Sequence, residues 1–65
     1  MKTANREKVW DLLLQIVDLN RKIYDIKTEE ESPEVREKLL QSLDYLDKTE
    51  KSLKESLSLD SRGKL

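Results

Sequence analysis

The chain has no cysteine and no histidine among its 65 residues. Without cysteine there is no disulfide to staple a small fold, and the redox compartment is unreadable. Without either residue, zinc sites built on thiolates or imidazoles are excluded, and so is nucleophilic chemistry that depends on them. The helical di-iron pattern also falls, because it needs a Glu-x-x-His pair. There is only one proline and one glycine, so little in the chain interrupts a helix. No apolar run approaches the ~18–20 residues of a membrane-spanning helix. Thirteen basic residues stand against fourteen acidic ones, for a formal charge of −1. That balance supplies no basic patch of the kind that holds nucleic acid. The segment Met1-Lys2-Thr3-Ala4-Asn5-Arg6 has no apolar signal-peptide core, so the expected location is cytoplasmic.

What is present is helical periodicity in one domain, residues 1–65. The charged fraction is 42%, high enough to suggest disorder, but the apolar residues recur too regularly for that. Ser32-Pro33-Glu34 reads as a helix start. Serine caps free amides, proline suits the first helical position, and glutamate favours the positive end of the helix dipole. The residue before a proline is pushed out of the α region, so a first helix ends just before it. The expectation is an all-α antiparallel two-helix hairpin, about residues 4–29 and 33–59, joined by a linker of about four residues. Thr3 or Asn5 is the expected cap of the first helix. Residues 60–65 are expected to form a frayed tail.

In the second helix, Val35, Leu39, Leu43, Leu46, Leu53 and Leu57 form a stripe roughly 80° wide, interrupted by Glu50. The first helix is broader. Val9, Leu12, Ile16, Leu19, Ile23 and Ile26 make a heptad series. Trp10, Leu13, Val17 and Tyr24 lie on one side of it, and the apolar arc reaches roughly 200°. A turn centred near residue 31 sets Ile23 against Leu39, Leu19 against Leu43, Ile16 against Leu46 and Val9 against Leu53. Leu12 faces Glu50. The intrachain seam is therefore expected to be Val9, Leu12, Ile16, Leu19, Ile23, Ile26, Leu39, Leu43, Leu46, Leu53 and Leu57.

That seam uses up the narrow stripe and leaves Trp10, Leu13, Val17 and Tyr24 uncovered. An uncovered apolar patch marks an interface. A core this small rarely supplies more than ~3–5 kcal/mol, and self-association is the remaining staple. The expected partner is a second copy, giving a four-helix bundle, or else a helix of another protein. Asn20 lies within the same arc and is expected at this interface, where asparagine can fix register and oligomeric state; the plainer reading is a half-exposed amide near Ser42.

Other polar clusters read as surface. Asp11, Asp18 and Asp25 recur every seven residues, and Asp44 and Asp47 are three apart. Such carboxylates can hold divalent cations, but they are laced with lysine and arginine as solvated faces are. Glu50 is expected to lean toward Lys54, Lys8 or solvent. Glu29-Glu30-Glu31 is a solvated turn or a docking point for a basic partner. No catalytic, metal or cofactor residue is assigned.

One stretch offers an enzymatic alternative. Leu40-Gln41-Ser42-Leu43-Asp44 is similar, at its Gln, Leu and Asp, to the Ser-Gln-Glu-Leu-Asp of small helical-hairpin aspartyl-phosphate phosphatases of bacterial phosphorelays. The resemblance implies that Asp44 and Gln41 would be the residues to examine. Leu40 departs from the leading serine, and the alignment moves Pro33-Glu34-Val35 out of step with the turn. A further alternative, an RNA-binding helical bundle like small plasmid copy-number regulators, needs a basic outer face. The first helix instead carries three aspartates there beside Arg21 and Lys22. The functional expectation is a non-enzymatic interaction module: an adaptor, co-chaperone, inhibitor or small regulator.

Overall fold

The computed structural model describes residues 1–63, with side chains described through residue 60. Two helices make up the fold, α1 (Thr3–Glu29) and α2 (Pro33–Gly63), packed against each other. At 1.5 Å per residue the 31 residues of α2 run about 46 Å. The molecule's long axis is 51 Å, so the helices lie side by side as an antiparallel hairpin. The second helix extends past the expected residue 59. Residues 64 and 65 of the expected tail lie outside the described residues.

The turn is only residues 30–32, and its polar groups are satisfied locally. Glu30 Oε1 accepts from the backbone N–H of both Glu31 and Ser32, each at 3.1 Å. Ser32 Oγ accepts from the Val35 N–H at 3.4 Å, and the Ser32 carbonyl takes the Arg36 N–H at 3.0 Å. Serine, proline and glutamate thus act as the sequence implies, with Glu34 in the first turn of α2. The start of α1 differs from expectation. Lys2 occupies the capping position and offers no side-chain bond, so neither Thr3 nor Asn5 serves as the cap.

The open end of the hairpin is clasped by charge. Asp60, with its side chain 5% exposed, accepts from Arg6 Nη1 at 2.8 Å and from the Met1 amine at 2.6 Å. The rotation of α1 differs from the one expected. Two heptad series overlap in α1 and share Val9, Ile16 and Ile23. The clasp residue Arg6 is in phase with Leu13 and Asn20, not with Leu12 and Leu19. The inward positions are accordingly Arg6, Val9, Leu13, Ile16, Asn20, Ile23, Lys27 and Glu30, all buried or half-buried. Written as a heptad, Arg6, Leu13, Asn20 and Lys27 take position a, and Val9, Ile16, Ile23 and Glu30 take position d.

Three expected seam residues are therefore displaced. Leu12, Leu19 and Ile26 are 45%, 44% and 53% exposed. Leu13, expected on the uncovered flank, is instead in the seam at 6%. On α2, Leu39, Leu43, Leu46, Leu53 and Leu57 face inward, with Glu50 half-buried among them. Val35 is exposed. Among the described residues, the buried apolar side chains are Leu13, Ile16 and Leu57, each 6% exposed. Such a core is thin even for a small domain.

Candidate protein interface

The rotation of α1 creates two apolar flanks where the sequence suggested one. Trp10, Val17 and Tyr24 repeat every seven residues at heptad position e, immediately beside the seam, and each is more than half exposed. Leu12, Leu19 and Ile26 repeat at position g on the opposite side. A helix that packs on one partner needs apolar residues only at a and d, and e and g are ordinarily charged. Here α1 carries apolar residues at e and g as well as at d, while position a holds Leu13 among Arg6, Asn20 and Lys27. Its packing against α2 covers only the middle of that arc.

The neighbouring positions on α2 differ between the two flanks. In an antiparallel pair, e residues lie beside e residues of the other helix, and g beside g. The e positions of α2 are Leu40, Asp47 and Lys54. Both charged residues are ion-paired along their own helix, Asp47 with Lys51 at 3.3 Å and Lys54 with Glu50 at 3.1 Å. The aromatic flank thus lies beside charge. Toward the turn it continues to a shallow groove of about 300 Å³ lined by Lys27, Pro33, Arg36, Glu37 and Leu40. There the Lys27 ammonium sits 5.1 Å from the Tyr24 ring centroid, a cation–π contact on an exposed ring.

The g positions of α2 are Val35, Ser42, Thr49 and Ser56, none of them charged. Each of the three hydroxyls donates to a carbonyl of its own helix: Ser42 to Lys38 at 3.2 Å, Thr49 to Tyr45 at 2.9 Å and Ser56 to Leu53 at 2.7 Å. This flank therefore presents methyl and methylene surface with its hydroxyl donors already used.

Asn20 sits at position a, between the seam and the aromatic flank. It is half-buried, and its Oδ1 is fully enclosed without a hydrogen-bond donor. A buried acceptor left unpaired costs about 1–3 kcal/mol. Ser42, suggested by sequence as its neighbour, instead donates to its own helix.

The remaining polar clusters fall on the outer faces. Asp18 pairs with Lys22 at 2.9 Å, and Asp44 with Lys48 at 3.1 Å. Asp11 accepts from Gln15 Nε2 at 2.8 Å. Gln41 and Asp44, the residues singled out by the phosphorelay resemblance, are both exposed. Glu50 turns to Lys54. Among the described residues no group of three or more carboxylates is placed to hold a metal ion, and no helix is long and apolar enough to cross a membrane.

The sequence singled out Trp10, Val17 and Tyr24, together with Leu13, as lying beside the seam series, but missed the second flank by assigning Leu12, Leu19 and Ile26 to the seam. The signal that separates the two phases is polar. Arg6, seven residues before Leu13, stands in only one of them and supplies the contact to Asp60 at the open end. No protein-family model, curated protein or solved structure matches the chain. What the fold defines is a class: an antiparallel two-helix hairpin in which one helix is more broadly apolar than the other.

Proposed function

We propose that this hairpin is a non-enzymatic protein–protein interaction module, and that it associates with itself into a four-helix bundle. The observation carrying the reading is the breadth of the apolar face of α1. Six large side chains at its e and g positions are about half exposed beside a seam with three buried residues. Covering the exposed half of each such side chain is worth on the order of 1 kcal/mol, about half of the ~1.5–3 kcal/mol of full burial. A second hairpin supplies the cover that α2 is too narrow to give, which is the usual construction of a four-helix bundle from short hairpins. The aromatic flank has the composition of a binding hot spot, with tryptophan and tyrosine around an aliphatic centre. An amphipathic helix laid against Trp10, Val17 and Tyr24 would meet apolar residues at successive heptads.

Sedimentation equilibrium and thermal unfolding across a hundredfold range of concentration test the self-association. A dimer mass at micromolar concentration, with a melting temperature that rises with concentration, is the expected result. A monomer mass with a concentration-independent melting temperature refutes it.

A further inference from the structure

We propose that a second copy of the chain docks on the uncharged g flank, leaving the aromatic flank open. The inference rests on the reading of the chain as a self-associating hairpin and specifies its geometry. In a chain 42% charged, neither helix places a charged residue at a g position of this flank. An isologous interface brings the same patch of both copies together, so any charge on it tends to meet its own kind. A charge-free patch is complementary to itself. The aromatic flank is not, because docking a copy there would draw Asp47 and Lys54 out of solvent.

Hydrogen bonding favours the same side. Burying a hydroxyl costs free energy when its donor is unmet, and on this flank Ser42, Thr49 and Ser56 already donate within α2. Size is sufficient as well. The Cα envelope is 51 × 15 × 11 Å, so one broad side offers on the order of the ~800 Å² per partner typical of a stable interface.

Shape sets the arrangement. Large residues line the α1 edge of the flank, and mostly small ones line the α2 edge. A two-fold axis along the hairpin lays α1 of each copy over α2 of the other, with both turns at one end. Leu12, Leu19 and Ile26 stand at nearly the same distances from the turn as Thr49, Ser42 and Val35. Leucine then falls on the partner's Thr49 and Ser42, and Ile26 on the partner's Val35. Every neighbouring helix pair in this bundle is antiparallel, so the helix dipoles oppose one another.

The test compares lysine substitutions on the two flanks by sedimentation equilibrium, with Trp10 emission as a second reading. Leu19→Lys and, separately, Thr49→Lys should raise the dimer dissociation constant at least a hundredfold. Val17→Lys should change it less than threefold. Thr49 is exposed on α2 and outside the seam, so its variant keeps the helical fold even if Leu19→Lys does not. Trp10 is the sole tryptophan, and its emission should stay that of a solvent-exposed indole as wild-type monomer becomes dimer. A wild-type dimer dissociated by Val17→Lys but not by Thr49→Lys, or a blue shift of Trp10 on dimerisation, overturns the assignment while leaving self-association intact. A wild-type chain that stays monomeric overturns both.

Discussion

The two helices are nearly equal in length but opposite in what surrounds their seams. Around its inward residues α1 keeps apolar side chains on both sides. Around its own, α2 keeps serine, threonine and ion-paired charge, with Val35 and Leu40 as exceptions near the turn. α2 is thus built to face one helix, and α1 to face more than one. Narrow stripes fix which residues pair, and broad ones leave the rotation open. In this chain the inward side of the broad helix is the one in phase with the Arg6–Asp60 ion pair, not the most apolar one.

The contrast can be tested first inside α1. Leu13→Ala removes a side chain that is 6% exposed and should destabilise the fold by about 2–5 kcal/mol. Its sequence neighbour in Leu12→Ala should cost well under about 1 kcal/mol at concentrations where the chain is monomeric. Urea titration of both variants measures the difference. Equal losses would mean that Leu12 shares the seam.

A smaller effect of opposite sign is expected at Asn20. Asn20→Leu replaces an enclosed, unpaired acceptor with an apolar side chain in an apolar seam. It should raise stability by about 1–2 kcal/mol and the melting temperature with it. It should also loosen the oligomeric state, since a polar residue at position a restricts register. A drop in melting temperature would mean that the amide has a partner in the assembled protein.

The smallest change belongs to the outer face of α2. Lys51→Ala breaks one exposed pair with Asp47 and should cost only about 0.3–0.5 kcal/mol, lost as salt is raised. A larger loss would show that the polar helix is held by its surface network rather than by the seam.

Much of the fold was legible because its signals are local. Ser32-Pro33-Glu34 placed the turn, since capping and the proline ring act within a few residues. The leucine stripe of α2 was legible because only one phase of that helix is apolar. The seam of α1 was not, because the series that turns inward shares Val9, Ile16 and Ile23 with a more apolar series and carries Arg6, Asn20 and Lys27 at its other positions. Leu13 was therefore assigned outward, and Leu12, Leu19 and Ile26 inward. The aromatic flank could be found only because Trp10, Val17 and Tyr24 lie outside both series.

The sequence alone determined that the chain makes two helices, where they meet, and that α1 carries more apolar surface than α2 can cover. These follow from short-range sterics, capping and the 3.6-residue period. Which side of α1 turns inward was decided only by tertiary structure. The Asp60 clasp on Arg6 joins residues 54 apart in sequence, and the bonds of Glu30 close the turn at the opposite end. A helix turns as one rigid rod, so one rotation is shared by all its residues. That rotation buried Leu13, exposed Leu12, and divided one apolar arc into two flanks.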